Sequence, residues 1–467
     1  MGKRQQLGTI LWALTCGVVA CGKANNAAVT NDIRGSGGSA GSTDGSAGST
    51  GGSAGSTGGS TGSTGGSAGS SGVAGASQCV PGTGGPGGFG GDAGCESAPI
   101  DTDTDPTNCG QLGHVCDPVA LASDQGLPGA VATDATHVYW LNSGSNTFTG
   151  CTFSPTLPDV CSGNTVGTHD GAVMKVPLGG GTPIALAGGM GSLRAIAADA
   201  TNVYFVEYNQ WFTSPGVTDE AWNVMKVPLG GGTPTILAER QAAPTAIVIR
   251  GANAYWVNYA GSSGELMTVP TDGGTPRVLA EKQHELQTIA ADSTNIYWAD
   301  TPYGGGGGLM TMPLAGGTPT LLTAARGILS IVADGTNVYW IDYPTSNDSV
   351  VKVAPRCGGT PTTLATGMNL DSLALNDIGV FWFQGPEWDP YSVMKKPFGC
   401  GAPTKVASGT LPSSEARSVG LAAQGSNVYW TNYGPRSTFT KSTPVGSIAH
   451  ANGVVMRLGS CTNGRCE

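Results

Sequence analysis

One motif occurs seven times between residues 117 and 458, and this repetition constrains the fold more than any other feature of the chain. In the clearest copy, the run Asn295-Ile-Tyr-Trp-Ala-Asp300 is followed by a third apolar segment, a Gly-Gly turn and a Thr-Pro-Thr-Leu-Leu segment. An aromatic pair marks each copy: Tyr139-Trp140, Tyr204-Phe205, Tyr255-Trp256, Tyr297-Trp298, Tyr339-Trp340, Phe381-Trp382 and Tyr429-Trp430. The units in the middle of the array are evenly spaced, with Asp292, Asp334 and Asn376 each 42 residues apart.

Each unit has the pattern of four short strands. The Val-Tyr-Trp segments are rich in β-branched and aromatic residues, which favour strands. The Asp-x-Thr-Asn sequence that precedes them favours a tight turn, because an Asp side chain can accept hydrogen bonds from the nearby backbone. Four-stranded antiparallel sheets that repeat every 40–45 residues are typical of β-propellers. The sequence therefore predicts an all-β, seven-bladed propeller in which the repeated Tyr, Trp and Asp residues have structural roles.

The two ends of the repeat array predict how the ring closes. The seventh unit ends after its third strand, at residue 458, and lacks the Thr-Pro segment of a fourth. A segment of the missing kind, Asp117-Pro-Val-Ala-Leu-Ala122, precedes the first unit instead, and Pro118 lies 16 residues before Asp134, as Pro183 does before Asp199. We therefore expect the N-terminal strand to complete the last blade, which would remove an exposed sheet edge.

The repeat resembles a known family at two of its copies, Asn295-Ile-Tyr-Trp-Ala-Asp300 and Asn337-Val-Tyr-Trp-Ile-Asp342. These runs are similar to the YWTD repeat of low-density-lipoprotein-receptor-type propellers, and the similarity covers roughly residues 117 to 458. It implies a propeller used mostly as a recognition scaffold. The family's propellers have six blades, so the seven copies here depart from its pattern.

The N-terminus has the pattern of an export signal. Lys3 and Arg4 precede an apolar segment over residues 7–20, which is too short to span a bilayer. The run Val18-Val19-Ala20-Cys21 resembles a bacterial lipobox, which implies a signal peptide over residues 1–20 and acylation of Cys21 with membrane lipid. An ordinary cleaved signal with an incidental Cys is the alternative. By the same resemblance, Gly22 favours lipid anchoring to the cell envelope at the outer membrane.

The remaining regions predict a tethered domain. Residues 21–77 are rich in Gly and Ser and are expected to form a flexible tether, since they carry too few apolar side chains to offset the entropy of ordering. A Cys-containing linker over residues 78–116, the propeller over 117–458 and a Cys-containing tail over 459–467 would follow.

Cysteine usage agrees with export. Apart from Cys16 and Cys21 there are ten cysteines, an even number that favours disulfides outside the cytoplasm. Ring closure would bring the pair at 109 and 116 close to the pair at 461 and 466, either linked to each other or each bridged locally, and non-reducing peptide mapping distinguishes the two. The candidate disulfide cysteines are Cys79, Cys95, Cys109, Cys116, Cys151, Cys161, Cys461 and Cys466, with 151–161 as a local bridge.

Several classes of chemistry have no sequence support. The formal charge of −10 and the lack of a basic block argue against nucleic-acid binding. Asp101, Asp103 and Asp105 alternate as in a calcium loop, but Pro106 and Leu112 stand where Gly and Glu are required. No Gly-x-Ser-x-Gly elbow is present in the repeat array over residues 117–458. We therefore expect no catalytic residue, metal or cofactor, and a chain that is not an enzyme. The alternative is a propeller hydrolase or lyase with a metal in its channel.

Insertions between the repeats point to a binding face. The segments between the second and third strands are longest in units 1, 2 and 7, and the connection from unit 6 to unit 7 is also extended. All would emerge on one face, which we call the crested face. Three Trp residues, at 211, 222 and 388, fall in segments between second and third strands. Aromatic surfaces with a few polar groups suit a glycan, a peptide or a protein, and the alternative is that these Trp residues hold the loops in place. The predicted ligand-binding residues are Trp211, Trp222, Trp388, Arg194, Glu285, Gln287 and Asp371.

Overall fold

A computed structural model describes residues 108, 115–143, 146–149, 151–152, 160–161, 165–167, 170–214, 217–259, 263–284, 286–302, 307–343, 348–385, 392–399, 401–408, 418–432, 439–442, 445–448, 453–459, 461–462 and 465–466. The regular secondary structure of this part of the chain consists of strands. Within it, no helix is long and apolar enough to cross a membrane. The predicted signal peptide, Cys21, the tether and the acidic run at 101–105 lie outside the described residues.

Seven four-stranded antiparallel sheets confirm the seven-bladed propeller. From the first, innermost strand outwards, blades 1 to 3 are Pro128–Thr133, His137–Asn142, Gly171–Pro177, Ile184–Met190; Ser192–Ala198, Asn202–Ser214, Val217–Pro228, Thr235–Gln241; and Pro244–Arg250, Asn253–Asn258, Gly264–Pro270, Arg277–Gln283. Blades 4 to 6 are Ile289–Ala291, Asn295–Asp300, Gly308–Pro313, Thr320–Ala324; Ile328–Ala333, Asn337–Asp342, Ser349–Pro355, Thr362–Gly367; and Leu370–Asn376, Gly379–Gln384, Ser392–Pro397, Thr404–Ser408. Blade 7 is Ser418–Gln424, Asn427–Asn432, Gly453–Leu458 and Pro118–Gln125.

The outer strand of blade 7 comes from the N-terminal side of the domain, as predicted. Pro118 is the register partner of Leu458, and Ala120 that of Met456. Leu121 on the same strand is buried in a core cluster with residues of blades 1 and 7. The first strands of neighbouring blades contact each other around the ring, including those of blades 7 and 1. The ring is therefore closed, and its innermost strands surround a central channel.

The aromatic pairs explain how the blades pack. Successive side chains on a strand point to opposite faces of its sheet. Tyr204 accordingly packs in the core between blades 2 and 3, while Phe205 packs in the core between blades 1 and 2. The Trp members of the other pairs are at most 2% exposed. One dipeptide per repeat thus supplies both neighbouring cores, which confirms the structural role predicted for it.

The repeated Asp fixes the turn between the first and second strands. In blade 5, Oδ1 of Asp334 accepts the backbone N–H groups of Thr336 at 2.6 Å and Asn337 at 2.7 Å, and Oδ2 accepts the Tyr339 hydroxyl at 3.0 Å. Blades 1, 2 and 4 make the same bonds. Burial and the bond to Asp199 raise the pKa of Tyr204 in blade 2 to about 12.

The insertions build two structures on the crested face. In blade 2 the second and third strands run on as one long hairpin, with Ser214 opposite Val217 at its tip. The insertions of blades 7 and 1 pair with each other in an eighth four-stranded sheet of Phe439–Ser442, Val445–Ile448, Asn146–Thr149 and Thr165–Gly167.

The cysteines within the described residues lie where ring closure and loop length place them. Cys116 and Cys461 form a small buried cluster. Cys461 and Cys466 are register partners in a two-stranded sheet, and so are Cys151 and Cys161. Both the cross-linked and the local bridging schemes thus stay predictions, and Cys79, Cys95 and Cys109 lie outside the described residues.

Candidate functional site

One register position of the innermost strands forms a ring at the crested end of the channel. In each blade the second aromatic residue of the pair faces a residue of the first strand, as Phe205 faces Ile196 and Trp382 faces Leu373. The ring position lies two residues earlier, where the strand enters from the crested face. In blade order it is occupied by Gly129, Arg194, Thr245, Gln287, Leu329, Asp371 and Val419. Three of the predicted site residues, Arg194, Gln287 and Asp371, are therefore equivalents in different blades.

A cavity of about 300 Å³ lies in the channel next to this ring. Innermost strands of six blades line it and contribute Arg194, the hydroxyl residues Thr245, Ser330 and Ser372, and small or aliphatic residues such as Ala246. A second cavity of about 420 Å³ between blades 5 and 6 is larger, but no charged side chain lines it. Recognition sites combine an apolar wall with a few convergent polar groups, so the channel cavity is the better candidate.

Arg194 is the most distinctive group at this cavity. Its guanidinium carbon lies 5.3 Å from the ring centroid of Trp222, within the range of a cation–π interaction. The Trp222 ring in turn lies on Tyr208, with centroids 4.6 Å apart, because the two residues are register partners in the blade 2 hairpin. Burial lowers the pKa of Arg194 from its ordinary value, although an arginine stays protonated in proteins. Arg194 thus lines the channel cavity as a partly buried cation whose guanidinium contacts an aromatic pair of blade 2.

Asp371 occupies the ring position in blade 6. Its Oδ1 accepts the backbone N–H of Ser372 at 2.7 Å, and Ser372 has a φ of +46°, an uncommon conformation for a residue with a β-carbon. Burial raises the pKa of Asp371, and the two bonds from Ser372 only partly oppose this. Strained backbone and a perturbed carboxyl beside a cavity are features that collect at functional sites.

The structure tests the placement of the remaining predicted residues only in part. Gln287 is exposed at its ring position. The backbone of Trp211 lies in the blade 2 hairpin, where its register partner is Asp219. The side chain of Trp211 lies outside the described residues, as do Glu285 and Trp388. The predicted site therefore converges at Arg194 and Trp222, with Asp371 at the equivalent position of a distant blade.

Sequence reasoning missed Tyr208, although a signal was present. Tyr208 comes three residues after the aromatic pair of blade 2, and Tyr259 and Tyr343 occupy the same position in blades 3 and 5. This position lies at the crested end of the second strand, so a recurrent Tyr there indicates aromatic groups at that face.

Two neighbouring polar residues at the crested end, His284 and Asp300, contact each other through hydrogen bonds. His284 Nδ1 lies 3.0 Å from Asp300 Oδ1, and the same oxygen accepts the backbone N–H of His284 at 2.8 Å. Within the described ranges, no group of three or more His, Cys, Asp or Glu side chains is arranged to hold a metal ion.

Comparisons with known proteins found distant structural similarity only. No family model and no curated protein matches the chain. The propeller domain of the Trilobed protease from Pyrococcus furiosus is 10% identical over 70% of this chain and 98% of its own, with a TM-score of 0.47. A puromycin-hydrolysing peptidase of Mycobacterium tuberculosis is 13% identical over 68% of this chain and 61% of its own, with a TM-score of 0.45. A structure of the Nidogen/Laminin complex is 16% identical over 56% of this chain and 92% of its own, with a TM-score of 0.39.

One expectation from the sequence is corrected at this point. We expected the chain not to be an enzyme, because neither a catalytic motif nor a metal-ligand pattern is visible in it. Two of the three similar structures are the propeller domain of a protease and a peptidase. The prediction that the chain is not an enzyme was therefore wrong, because missing sequence motifs do not exclude an enzyme, and the similar structures assign no activity to this chain.

Proposed function

We propose that this protein is a cell-envelope lipoprotein whose propeller binds a peptide or a glycan at the crested mouth of its channel. The observation that carries the proposal is the stacking of the Arg194 guanidinium on Trp222 beside the channel cavity. Trp and Arg are enriched among residues that dominate binding energy, since they offer a large rigid surface and several hydrogen-bond donors. The long hairpin of blade 2 and the sheet shared by blades 7 and 1 would form walls around the same opening.

The Trp222→Ala substitution tests the role of this aromatic wall. We expect the full-length Trp222→Ala protein to retain at least tenfold less ligand in affinity capture from a cell-envelope extract. Truncating an aromatic residue at the centre of an interface costs roughly 2 kcal/mol or more of binding free energy. The measurement is quantitative mass spectrometry of material that the wild-type and variant proteins capture in parallel.

Two matched controls separate binding from stability. Trp222 also packs against the core between blades 2 and 3, so its loss will lower the melting temperature as well. Val224→Ala weakens the same core from a fully buried position, and Phe398→Ala removes an exposed aromatic ring from the opposite face. Both controls should capture normally. If Val224→Ala reduces capture in proportion to its loss of stability, as Trp222→Ala does, the Trp222 ring serves packing and the proposed site is wrong.

The anchoring part of the proposal depends on Cys21. Acyl chains contribute about 0.8 kcal/mol for each buried CH₂ group, so several chains on one residue hold a protein firmly on a membrane. We expect Cys21→Ala to move the protein from the membrane pellet to the soluble fraction and to abolish incorporation of labelled palmitate. Cys16→Ala is the matched control and should change neither. A Cys21→Ala protein that still sediments with membranes and still takes up label would contradict lipidation at this residue.

A further inference from the structure

We propose that Arg194 binds a carboxylate, and that the ligand at the channel mouth is the free C-terminal end of an extended peptide. This inference rests on the proposed function, since it names the ligand of the same site. It adds a chemical class, an orientation and a residue that reads the end of the ligand chain.

The first argument is that Arg194 differs from other cationic side chains of the described chain. Three half-buried lysines each have a hydrogen-bond acceptor within the protein. Lys175 Nζ donates to Leu229 O at 2.6 Å, Lys226 Nζ to Thr271 O at 2.5 Å, and Lys352 Nζ to Asp342 Oδ2 at 2.6 Å. Among the residues that the structure describes, the contact found for Arg194 is the face of Trp222. Buried or partly buried charges are normally paired, because removing an unpaired charge from water is costly.

The second argument concerns the hydrogen-bonding geometry of the Arg194 guanidinium. The cation–π contact with Trp222 does not use the guanidinium N–H groups in hydrogen bonds to oxygen, and no such bond is found for Arg194 within the part of the chain that the structure describes. Those N–H groups form a fork that matches the two oxygens of a carboxylate in a bidentate pair. A carboxylate is therefore a better complement than a hydroxyl or an amide, and among the described residues no carboxylate forms an ion pair with Arg194.

The third argument favours a peptide as the carrier of that carboxylate. The cavity of about 300 Å³ has the volume of a small pocket, so it admits the end of a chain more readily than a folded surface. Each innermost strand is the edge strand of its sheet, and an extended peptide can pair with an edge strand through its backbone. Apolar residues such as Ala246 and Leu421 line the cavity and suit a peptide's last side chains. Asp371, at the equivalent ring position of blade 6, offers acceptor oxygens to peptide N–H groups.

The test uses N-terminally fluorescein-labelled tripeptides in matched pairs, one with a free C-terminal carboxyl and one with a C-terminal amide. Binding to the full-length protein in detergent is followed by fluorescence anisotropy up to about 1 mM peptide, which detects interactions as weak as about 4 kcal/mol. We expect the wild-type protein to bind acids at least tenfold more tightly than amides. Arg194→Gln should remove this preference, and Arg194→Lys should restore part of it, because lysine keeps the charge and loses the fork.

Arg326→Gln is the matched control, because it removes one positive charge from an exposed residue where blade 5 enters from the crested face. It should keep the acid preference intact. Equal binding of acids and amides, binding of neither up to 1 mM, or an acid preference that survives Arg194→Gln would each overturn the inference. A uronic-acid trisaccharide that binds more tightly than the acids and needs Arg194 would overturn the peptide assignment. If acids and amides behave alike while Trp222→Ala still abolishes capture, the carboxylate inference fails and the proposed function stands.

Discussion

Deleting residues 118–125 from the full-length protein is expected to abolish folding of the propeller to a soluble monomer. This segment is the outer strand of blade 7, and without it the strand Gly453–Leu458 would expose its unpaired backbone. Exposed sheet edges pair with other chains and promote aggregation. The deletion also removes Leu121 and Ala122 from the core shared by blades 7 and 1. Soluble yield, size-exclusion chromatography and the thermal unfolding transition measure the effect.

A pair of point substitutions on the same strand refines this prediction. Leu121 is 7% exposed and Val119 is 39% exposed. Leu121→Asp should destabilise the domain by about 4 kcal/mol, since it places an unpaired charge in a core, whereas Val119→Asp should stay within about 0.5 kcal/mol of wild type. A deletion protein that remains monomeric with an unchanged melting temperature would show that the ring does not depend on this closure.

The repeat made the fold predictable because the interactions that build a propeller are local and recur. Each aromatic pair serves two neighbouring cores, and each turn Asp binds backbone groups two and three residues away, so one copy of the motif explains the others. The closure was predictable for the same reason, because a missing fourth strand at one end and a surplus strand at the other share one spacing.

The crested face was only partly predictable because its contacts are neither local nor periodic. The insertions could be assigned to one face, but the pairing of Val445 with Thr149 joins segments almost 300 residues apart and leaves no mark in the repeat. Arg194 and Trp222 were predicted at the same mouth. Arg194 lies within a register shift between Leu193 and Ile196, and neither this shift nor the contact with Trp222 can be derived from composition or spacing. The site thus combines a register position that recurs around the ring with an Arg that only blade 2 carries there.

The turn Asp of blade 4 differs from its equivalents because it is deeply buried and lies near a cation. Asp292 is 4% exposed, and its Oδ2 accepts the Tyr297 hydroxyl at 2.7 Å. The same oxygen lies 3.7 Å from Nη1 of Arg356, which also bonds the Thr294 hydroxyl. Burial alone would raise the pKa of Asp292, but the hydrogen bonds from Tyr297 and from the Asn295 and Thr294 backbone hold it below its usual value. The ionised carboxylate is therefore stabilised in the folded protein.

Asp292→Asn is expected to destabilise the protein by about 3 kcal/mol at neutral pH. The amide keeps the bonds from the turn backbone, but its NH₂ group replaces Oδ2, so the Tyr297 hydroxyl loses its acceptor and the attraction between Asp292 and Arg356 is lost, which is strongly destabilising at a buried carboxylate. A carboxyl whose pKa is lowered by folding contributes stability that is fully present above its unfolded value of 3.8 and is lost as the pH falls through the folded value. The wild-type advantage over Asp292→Asn should therefore be constant from pH 7 to about pH 5 and should shrink below about pH 4. Chemical denaturation at a series of pH values measures both free energies of unfolding.

Asp334→Asn supplies the matched control, because Asp334 makes the same turn and Tyr bonds at a less buried position, and the structure describes no Arg ion pair for it like that of Asp292. We expect Asp334→Asn to lower the free energy of unfolding by about 1 kcal/mol, the usual net contribution of one hydrogen bond. Equal losses at the two positions would mean that Arg356 adds nothing to the turn of blade 4. A difference between wild type and Asp292→Asn that stays constant below pH 4 would contradict the stabilised carboxylate. If instead the loss is large at position 292 and disappears in acid, one Asp has two roles in blade 4, fixing its own turn through Oδ1 and connecting blades 4 and 5 through Oδ2.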